Sequence, residues 1–301
     1  MSSQKLILAT DLSAESESAF APAAELCRAL DAELTLLYVN ELTSYELTQS
    51  DRVSDYLSEV RKWSDRRLAE QTSSLKALGV AVTPVEIAGV PSSEIIRYVE
   101  ANPADVVIIS RHGQRGASHS VMGSTVKRLL RQIHVPVLVV PVGEGAAPFT
   151  RFGRVLASTD FSEESNRGLR EAVEFAKRMK VPMSVVNIVK APVPLVIVPG
   201  EPPLYVPRET IDSAKESREA ELQSIVRRIA GDTDVRGIIG IEADAARGIL
   251  EAAEEEGANL VVIPTHGHGA VAATLLGSTS ERVVKFSKVP VLVVPKAYLD
   301  A

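Results

Sequence analysis

The sequence has a single cysteine, Cys27, among its 301 residues, so no disulfide can form within the chain. Cys27 shares the apolar face of a predicted helix with Phe20, Ala23 and Leu30. Buried apolar cysteines are usually inert. We therefore expect a structural thiol rather than a redox centre, in a protein of a reducing compartment.

The sequence also lacks an excess of positive charge and any long apolar run. Its net charge is -6, which creates no attractive field for nucleic acid or an anionic membrane, so neither is an expected partner. No stretch approaches the roughly 18–20 apolar residues of a membrane span. The opening MSSQKLILATD has too short an apolar run for a signal peptide. We expect a soluble, cytoplasmic protein.

What the sequence does contain is a long internal repeat. The segment 5–11, KLILATD, resembles the segment 154–160, RVLASTD, and the segments 135–141 and 289–295 both read VPVLVVP. The early segments are 149 positions apart (160 − 11) and the late ones 154 (289 − 135). The second copy therefore has five additional residues (154 − 149), which we place in the proline-rich insert 191–207.

Each copy alternates short β-branched runs with helical periodicity. Apolar strands separated by helices predict a parallel sheet covered on both faces, and hence a doubly wound, Rossmann-like α/β fold in each copy. In such a fold, ligands bind beyond the carboxyl ends of the strands. Five strands are predicted for the first copy: Leu6–Thr10, Leu34–Val39, Ala81–Ile87, Val106–Ser110 and Val137–Val140.

The repeat predicts two domains, residues 1–143 and 151–297, joined by the turn-rich linker 144–150. The last strand of each copy is apolar, and an apolar edge strand promotes association unless it is covered. We expect the two final strands to pair, which would make a pseudo-symmetric dimer within one chain. A homodimer of the two-domain chain is left open.

A glycine loop follows the fourth strand of each copy, HGQRGASHSVMGST at 112–125 and HGHGAVAATLLGST at 266–279. Each loop leads to a predicted helix that starts at Gly-Ser. Free amides at a helix start carry the positive end of the helix dipole and are a natural seat for phosphate. The serines at 124 and 278 are equally compatible with plain helix capping.

In these residues the sequence resembles the universal stress protein family, in its tandem form, over nearly the whole chain. Nucleotide-binding members of that family carry Gly-x2-Gly-x9-Gly-Ser/Thr after the fourth strand and an aspartate closing the first strand. Gly113 and Gly123 match the second and third glycines here, as Gly267 and Gly277 do in the second copy. The fold implied is the Rossmann-like fold of the adenine nucleotide alpha hydrolases.

The resemblance implies that each copy binds ATP, which Mg²⁺ would accompany. From the residues themselves we expect no catalytic residue and no resident metal. The aspartate would hold the adenosine, the residue closing the second strand would offer its backbone to adenine, and the glycine loop would hold ribose and phosphates. The candidate nucleotide-binding residues are Thr10, Asp11, Val39, Ser110, His112, Gly113, Gly116, Gly123, Ser124, Thr125, Thr159, Asp160, Ile188, Thr265, Gly267, Gly277, Ser278 and Thr279.

Two departures from the family pattern concern the first glycine of the motif, which is Ser110 in one copy and Pro264 in the other. Proline fixes φ and removes a donor, and its ring could narrow the second site. The insert 191–207 follows the second strand of that copy, where it would cover or fill the adenine position. The second site is therefore the doubtful one.

Three functions stay open at this stage. A nucleotide-responsive stress-regulatory or protective module leads, a slow ATPase is weaker because no general base stands beside the phosphate position, and a nucleotide-free scaffold would follow from Ser110 and Pro264. The stretch Gly267–Ala272 formally fits a dinucleotide fingerprint, but it follows the fourth strand and its counterpart lacks it. The histidines of the loops need no metal to explain them.

Overall fold

The computed structural model describes residues 4–41, 51–113, 122–190, 208–231, 233–265 and 276–299. Ten strands run through this part of the chain. In order they are β1 (Lys5–Thr10), β2 (Glu33–Asn40), β3 (Val82–Ala88), β4 (Val106–Ser110), β5 (Val137–Val140), β6 (Val155–Ser158), β7 (Met183–Lys190), β8 (Val235–Glu242), β9 (Leu260–Pro264) and β10 (Val291–Val294).

Nine α-helices alternate with these strands in the described residues. They are α1 (Phe20–Leu30), α2 (Asp51–Ala77), α3 (Pro91–Ala101), α4 (Ser124–Gln132), α5 (Glu163–Met179), α6 (Arg208–Ala230), α7 (Ala245–Glu255), α8 (Ser278–Phe286) and α9 (Lys296–Leu299). A short 3-10 helix, Glu15–Ala19, precedes α1. Strands that alternate with helices give the α/β class that the sequence predicts.

The chain forms two compact units, and the first contains residues 1–151 together with 287–301. Its strands lie in the order β3-β2-β1-β4-β5-β10. The first five are mutually parallel, whereas β10 runs antiparallel to β5, with Leu292 opposite Leu138. The expected pairing of the two final strands is therefore present.

The second unit contains residues 152–286. Its strands lie in the order β9-β6-β7-β8 and all are parallel. The two central strands of this sheet, β6 and β7, are mostly apolar and buried, as in a sheet covered on both faces. Leu156 and Val185 are examples, each with no exposed surface.

Helix ends also repeat between the copies. Asp31 follows α1 and Lys180 follows α5, and both adopt the left-handed conformation, with φ of 50° and 54°. A left-handed residue directly after a helix satisfies the last carbonyl groups and turns the chain towards the next strand. The repeat seen in the sequence therefore extends to the backbone geometry of the connections.

Candidate functional site

The first candidate site lies where β1 and β4 end. The two strands are neighbours, with Ala9 opposite Ile109, although the chain passes through β2 and β3 between them. The winding direction reverses at this point, and a doubly wound sheet binds its ligands outside the carboxyl ends of the strands there. The residues that follow, Asp11 and Arg111, therefore begin the two sides of one site.

Asp11 and Gly113 are in direct contact, as the sequence predicted for the two sides of one site. A Cβ atom built on Gly113 would lie 1.8 Å from Oδ2 of Asp11, far inside any van der Waals distance. Only glycine allows the loop after β4 to approach the carboxylate this closely. Asp11 is exposed as a residue, and Oδ1 of its carboxylate also accepts a hydrogen bond from the hydroxyl of Ser13 at 2.5 Å.

The loop that carries Asp11 holds a strained backbone. Leu12 has a φ of 64°, a left-handed conformation that costs a non-glycine residue about 1–2 kcal/mol. Side chains fix the turn: the amide of Leu12 donates to Oγ1 of Thr10 at 3.0 Å, and the amide of Ser13 donates to Oδ1 of Asp11 at 3.1 Å. Strain of this kind persists where the surroundings enforce it, often at functional sites.

The second copy repeats this loop nearly atom for atom. Phe161 has a φ of 68°, its amide donates to Oγ1 of Thr159 at 3.0 Å, and the amide of Ser162 donates to Oδ1 of Asp160 at 3.0 Å. Ser162 then caps α5 by accepting from the amide of Ser165. Both aspartates therefore stand in the same local frame, at the ends of β1 and β6.

The glycine that begins each loop helix is anchored by its amide. The amide of Gly123 donates to the carbonyl of Arg111 at 3.0 Å, and the amide of Gly277 donates to the carbonyl of Thr265 at 2.8 Å. Gly123 is the N-cap of α4, and no side chain caps that helix. The first turn of α4 is therefore left for another hydrogen-bond acceptor.

The serine and threonine that follow each of these glycines have matching exposure in the two copies. Ser124 and Ser278 are exposed, while Thr125 and Thr279 are half-buried. The second candidate site therefore has the same polar surface at its helix start as the first. No side chain makes a capping hydrogen bond at the start of α4, so the capping interpretation loses support for Ser124.

The residues at the junction of β4 and the glycine loop are buried. Ser110, Arg111 and His112 are each 6% exposed. The hydroxyl of Ser110 donates to the carbonyl of His112 at 2.8 Å, which bends the chain as it leaves the strand. Burial lowers the pKa of the Arg111 guanidinium, whose Nη1 donates to the carbonyl of Ser287 at 2.7 Å.

One residue in each copy is expected to close the second strand, Val39 in the first and Ile188 in the second. Both lie within the strands of their sheets. Val39 stands opposite Ile87, and Ile188 stands opposite Gly240. The side chain of Ile188 fills the space beside Gly240 and Gly248, where an added Cβ would meet it at 2.6 and 2.8 Å. That half-buried side chain packs against Gly248 of α7.

A tyrosine stands next to the first candidate site on β2. Tyr38 lies opposite Thr10 in the sheet. Burial, and then the negative charges of Glu86, Glu41 and Asp11, raise the pKa of Tyr38 to about 12. Its hydroxyl is therefore neutral, and able to donate a hydrogen bond, at any pH at which the protein works.

Pro264, the main departure in the second copy, packs against α5. Its Cβ lies 3.7 Å from the position that a Cβ on Gly168 would occupy, an ordinary contact distance. Its carbonyl accepts a hydrogen bond from the hydroxyl of Ser280 at 2.8 Å. The residue that corresponds to Gly168 in the first copy is Ala19 (168 − 149), so a smaller helix residue accompanies the proline.

The cations near the loop helices differ between the copies. Arg282 of α8 forms an ion pair with Asp244, the N-cap of α7. The corresponding arginine of α4, Arg128 (282 − 154), is exposed, and the position that matches Asp244 is Val90. The two copies therefore differ here: Arg282 is engaged in an ion pair, whereas its counterpart Arg128 has a valine at the position of that partner.

Several predicted residues fall outside the described part of the chain. They are Gly116, Gly267 and the insert 191–207. Within the described ranges, no group of three His, Cys, Asp or Glu side chains could hold a metal ion, and no helix has the length and apolar character needed to cross a membrane.

Two residues that the sequence did not single out also contact the first site, Arg67 and Gln71 of α2. Both donate to backbone carbonyls of the loop after β1. The available signal was weak: Gln71 is a polar residue on the helix face that also carries the buried Leu75. A polar residue on such a face indicates a buried hydrogen-bond partner but does not identify it.

A sequence model of the universal stress protein family matches this chain twice, over residues 2–141 and 151–295. A universal stress protein of Mycolicibacterium smegmatis is 27% identical over 298 residues, 96% of each chain. One of Mycobacterium tuberculosis is 28% identical over 199 residues, which are 64% of this chain and 62% of that relative. The chain therefore spans less than two thirds of the latter protein.

Among solved structures, a universal stress protein from Archaeoglobus fulgidus is similar over 98% of this chain and 100% of its own. The TM-score is 0.68 at 24% sequence identity. At this identity the likeness shows the fold alone. The doubly wound α/β fold is therefore shared with a solved protein over nearly the whole of this chain.

Proposed function

The chain belongs to the universal stress protein family, and from this premise we propose that it binds an adenine nucleotide, ATP above all, at the ends of β1 and β4. The contact between the Asp11 carboxylate and the backbone of Gly113 carries the proposal. It places an acceptor suited to sugar hydroxyls against a backbone position, Gly113, that carries no side chain.

Each part of the site would bind a different part of the nucleotide, according to its chemistry. The exposed Asp11 carboxylate accepts hydrogen bonds from the ribose, and the amides at the uncapped start of α4, with Ser124 and Thr125, bind the phosphates. The positive end of the α4 dipole adds to the attraction. Mg²⁺ would arrive with the phosphate oxygens rather than through protein ligands.

We propose a second site of the same kind at the ends of β6 and β9. Asp160 and Gly277 occupy the positions of Asp11 and Gly123, and their backbone anchors are the same. The contact of Pro264 with Gly168 supports this second site, because the proline is accommodated on the side of α5. On this view the binding domains are residues 1–143 and 151–297, with 144–150 as the linker.

The proposed role is that of a nucleotide-responsive stress-regulatory or protective module and not of an enzyme. Bound nucleotide would favour one conformation of the glycine loops, and a partner would respond to that conformation. Such a switch works only if the nucleotide has different affinities for the two conformations. The binding event is therefore the property to test first.

The test is mass spectrometry of small molecules released from the freshly purified, heat-denatured protein, followed by calorimetric titration of nucleotide-free protein with ATP. We expect one or two adenine nucleotides per chain. Gly113→Ala should weaken binding at the first site at least tenfold, or about 1.4 kcal/mol, because its new Cβ displaces Asp11.

The matched control is Gly79→Ala, at a turn glycine with a φ of 79°, where an added Cβ would meet nothing within 4 Å but would strain the backbone. It should leave the affinity for ATP unchanged. Protein that carries no nucleotide and takes up none in calorimetry would contradict the proposal, and the scaffold function would then lead.

A further inference from the structure

Helix α2 holds the loop that carries Asp11 through two side chains. Nε and Nη2 of Arg67 both donate to the carbonyl of Leu12, at 3.3 and 3.2 Å. Nε2 of Gln71 donates to the carbonyl of Ser13 at 3.2 Å. Helix α2 thus holds the loop at the carbonyls of Leu12 and Ser13, the two residues that directly follow Asp11.

These contacts belong to a connected network. Gln71 is 1% exposed, and its Oε1 accepts from the hydroxyl of Thr10 at 2.7 Å. Arg67 also pairs with Glu17 at 2.9 Å and with Glu70 at 2.7 Å. The pair Thr10–Gln71 is buried, whereas Arg67 is half-buried and Glu70 is exposed. A buried, hydrogen-bonded pair makes its surroundings rigid and favours one geometry.

The network acts at the strained residue. Leu12 has the left-handed φ of 64°, and a non-glycine residue keeps such a conformation only when its neighbours enforce it. The guanidinium of Arg67 binds the carbonyl of this residue and so opposes relaxation of the turn. Relaxation would move Asp11, whose carboxylate touches Gly113.

The second copy holds the corresponding residue in another way. The guanidinium of Arg218 lies over the ring of Phe161, 5.1 Å from its centroid, and the carbonyl of Phe161 accepts from Nδ2 of Asn166 at 3.3 Å. The position that matches Arg67 is Glu221 (67 + 154). The arginine that binds the loop carbonyl is therefore a property of the first copy.

We propose that Arg67 and Gln71 are positioning residues of the first nucleotide site, which fix Asp11 in place by holding the carbonyls of Leu12 and Ser13. The inference rests on the proposed nucleotide binding. It predicts that the two residues act through Asp11 without touching the nucleotide. A residue that merely ties α2 to the protein would affect stability but would not depend on Asp11.

The experiment compares Arg67→Ala with two controls on the same helix in the full chain, in a Gly277→Val background that silences the second site. Arg66→Ala removes the same charge from an exposed neighbour, and Glu70→Gln removes an ion pair of Arg67 but keeps the contact with Leu12. Calorimetry with ATP and with adenosine gives the affinities, and thermal melting identifies variants that fail to fold.

We expect Arg67→Ala to weaken ATP and adenosine alike, about tenfold, and both controls to bind as the background protein does. In an Asp11→Asn background, Arg67→Ala should lower the affinity for ATP by almost nothing further, because its effect passes through that carboxylate. Arg67→Lys, which keeps one donor for the Leu12 carbonyl, should restore part of the affinity. If Arg67→Ala does not fold, the same comparison is made with Arg67→Lys and Gln71→Met.

The proposal is overturned if Arg67→Ala binds ATP as tightly as Arg66→Ala does. It is also overturned if Arg67→Ala lowers the affinity for ATP by the same factor in the Asp11→Asn background as in the protein that keeps Asp11. Hydrogen exchange at the amides of residues 11–17 in ligand-free protein separates this failure from that of the proposed function. Faster exchange in Arg67→Ala than in Arg66→Ala supports the positioning role even if no nucleotide binds. Equal exchange rates overturn it, whatever the wild-type protein binds.

Discussion

The buried guanidinium of Arg111 donates to the backbone carbonyl of Ser287, 2.7 Å away, across 176 positions of the sequence. The carbonyl of Arg111 accepts from the amide of Gly123. One residue therefore links the glycine loop of the first site to the segment that leads into β10. The loop is held from the far end of the chain as well as from its own strand.

Replacing Arg111 with Met should destabilise the first unit. The substitution leaves the Ser287 carbonyl without its donor, and an unsatisfied buried acceptor costs about 1–3 kcal/mol. Urea unfolding, followed by circular dichroism, measures the change. Arg128→Met, at an exposed arginine of α4, is the matched control and should change the free energy of unfolding by less than about 0.5 kcal/mol.

The contact between Gly113 and Asp11 predicts a compensating pair. Gly113→Ala should lower the free energy of unfolding, because its Cβ would overlap Oδ2 of Asp11. In an Asp11→Ala background the overlap is gone, so the same substitution should cost much less stability. Denaturant titration of the four proteins gives the coupling energy. Equal costs in both backgrounds would show that the contact is absent in solution.

Cys27 should behave as a buried, neutral thiol. Burial raises the pKa of its thiol from 9.0 to about 11, and the thiolate is the reactive form. We expect very slow alkylation of the native protein at pH 8 and fast alkylation in urea, measured by mass spectrometry. Rapid labelling of native protein would contradict this prediction.

The raised pKa of Cys27 also makes the free energy of unfolding depend on pH. The folded protein holds the Cys27 proton more tightly than the unfolded chain does, so this contribution is complete below pH 9 and is lost as the pH rises towards about 11. Cys27→Ala removes it. The stability of the wild-type protein should therefore fall more steeply between these two values than that of the variant, as urea unfolding at a series of pH values will show.

Removing residues 287–301 should cause self-association. The deletion uncovers β5, whose four residues are all buried, and takes away the Ser287 carbonyl. An apolar edge strand pairs with other chains unless it is covered. Sedimentation velocity should show larger species than for the full chain. A shorter deletion, 296–301, keeps β10 and should sediment like the full-length protein.

Much of this architecture could be predicted because strands and helices leave strong periodic signals. β4 and β5 have the predicted bounds, β1 differs from its predicted bounds by one residue at its start, and β2 and β3 differ by one residue at each end. The meeting of Asp11 with Gly113 could be predicted from topology alone, since both follow strands that are neighbours at the reversal of winding.

The roles of Arg67 and Gln71 could not be predicted in this way. Their partners are the carbonyls of Leu12 and Ser13, which any sequence would offer, so no pattern of residue types marks the contact. The contact depends on where α2 lies over the loop and on the left-handed turn at Leu12. Both are tertiary properties that local sequence does not fix.

The placement of β10 beside β5 has a consequence for synthesis on the ribosome. The strands are separated by 151 positions (291 − 140), and at about 5–20 residues per second the second strand follows the first by roughly 8–30 s. During that interval the nascent first unit has every other strand, but the edge of β5 is unpaired. Its completion therefore waits for the last strand to emerge, and chaperones have that time in which to shield the edge.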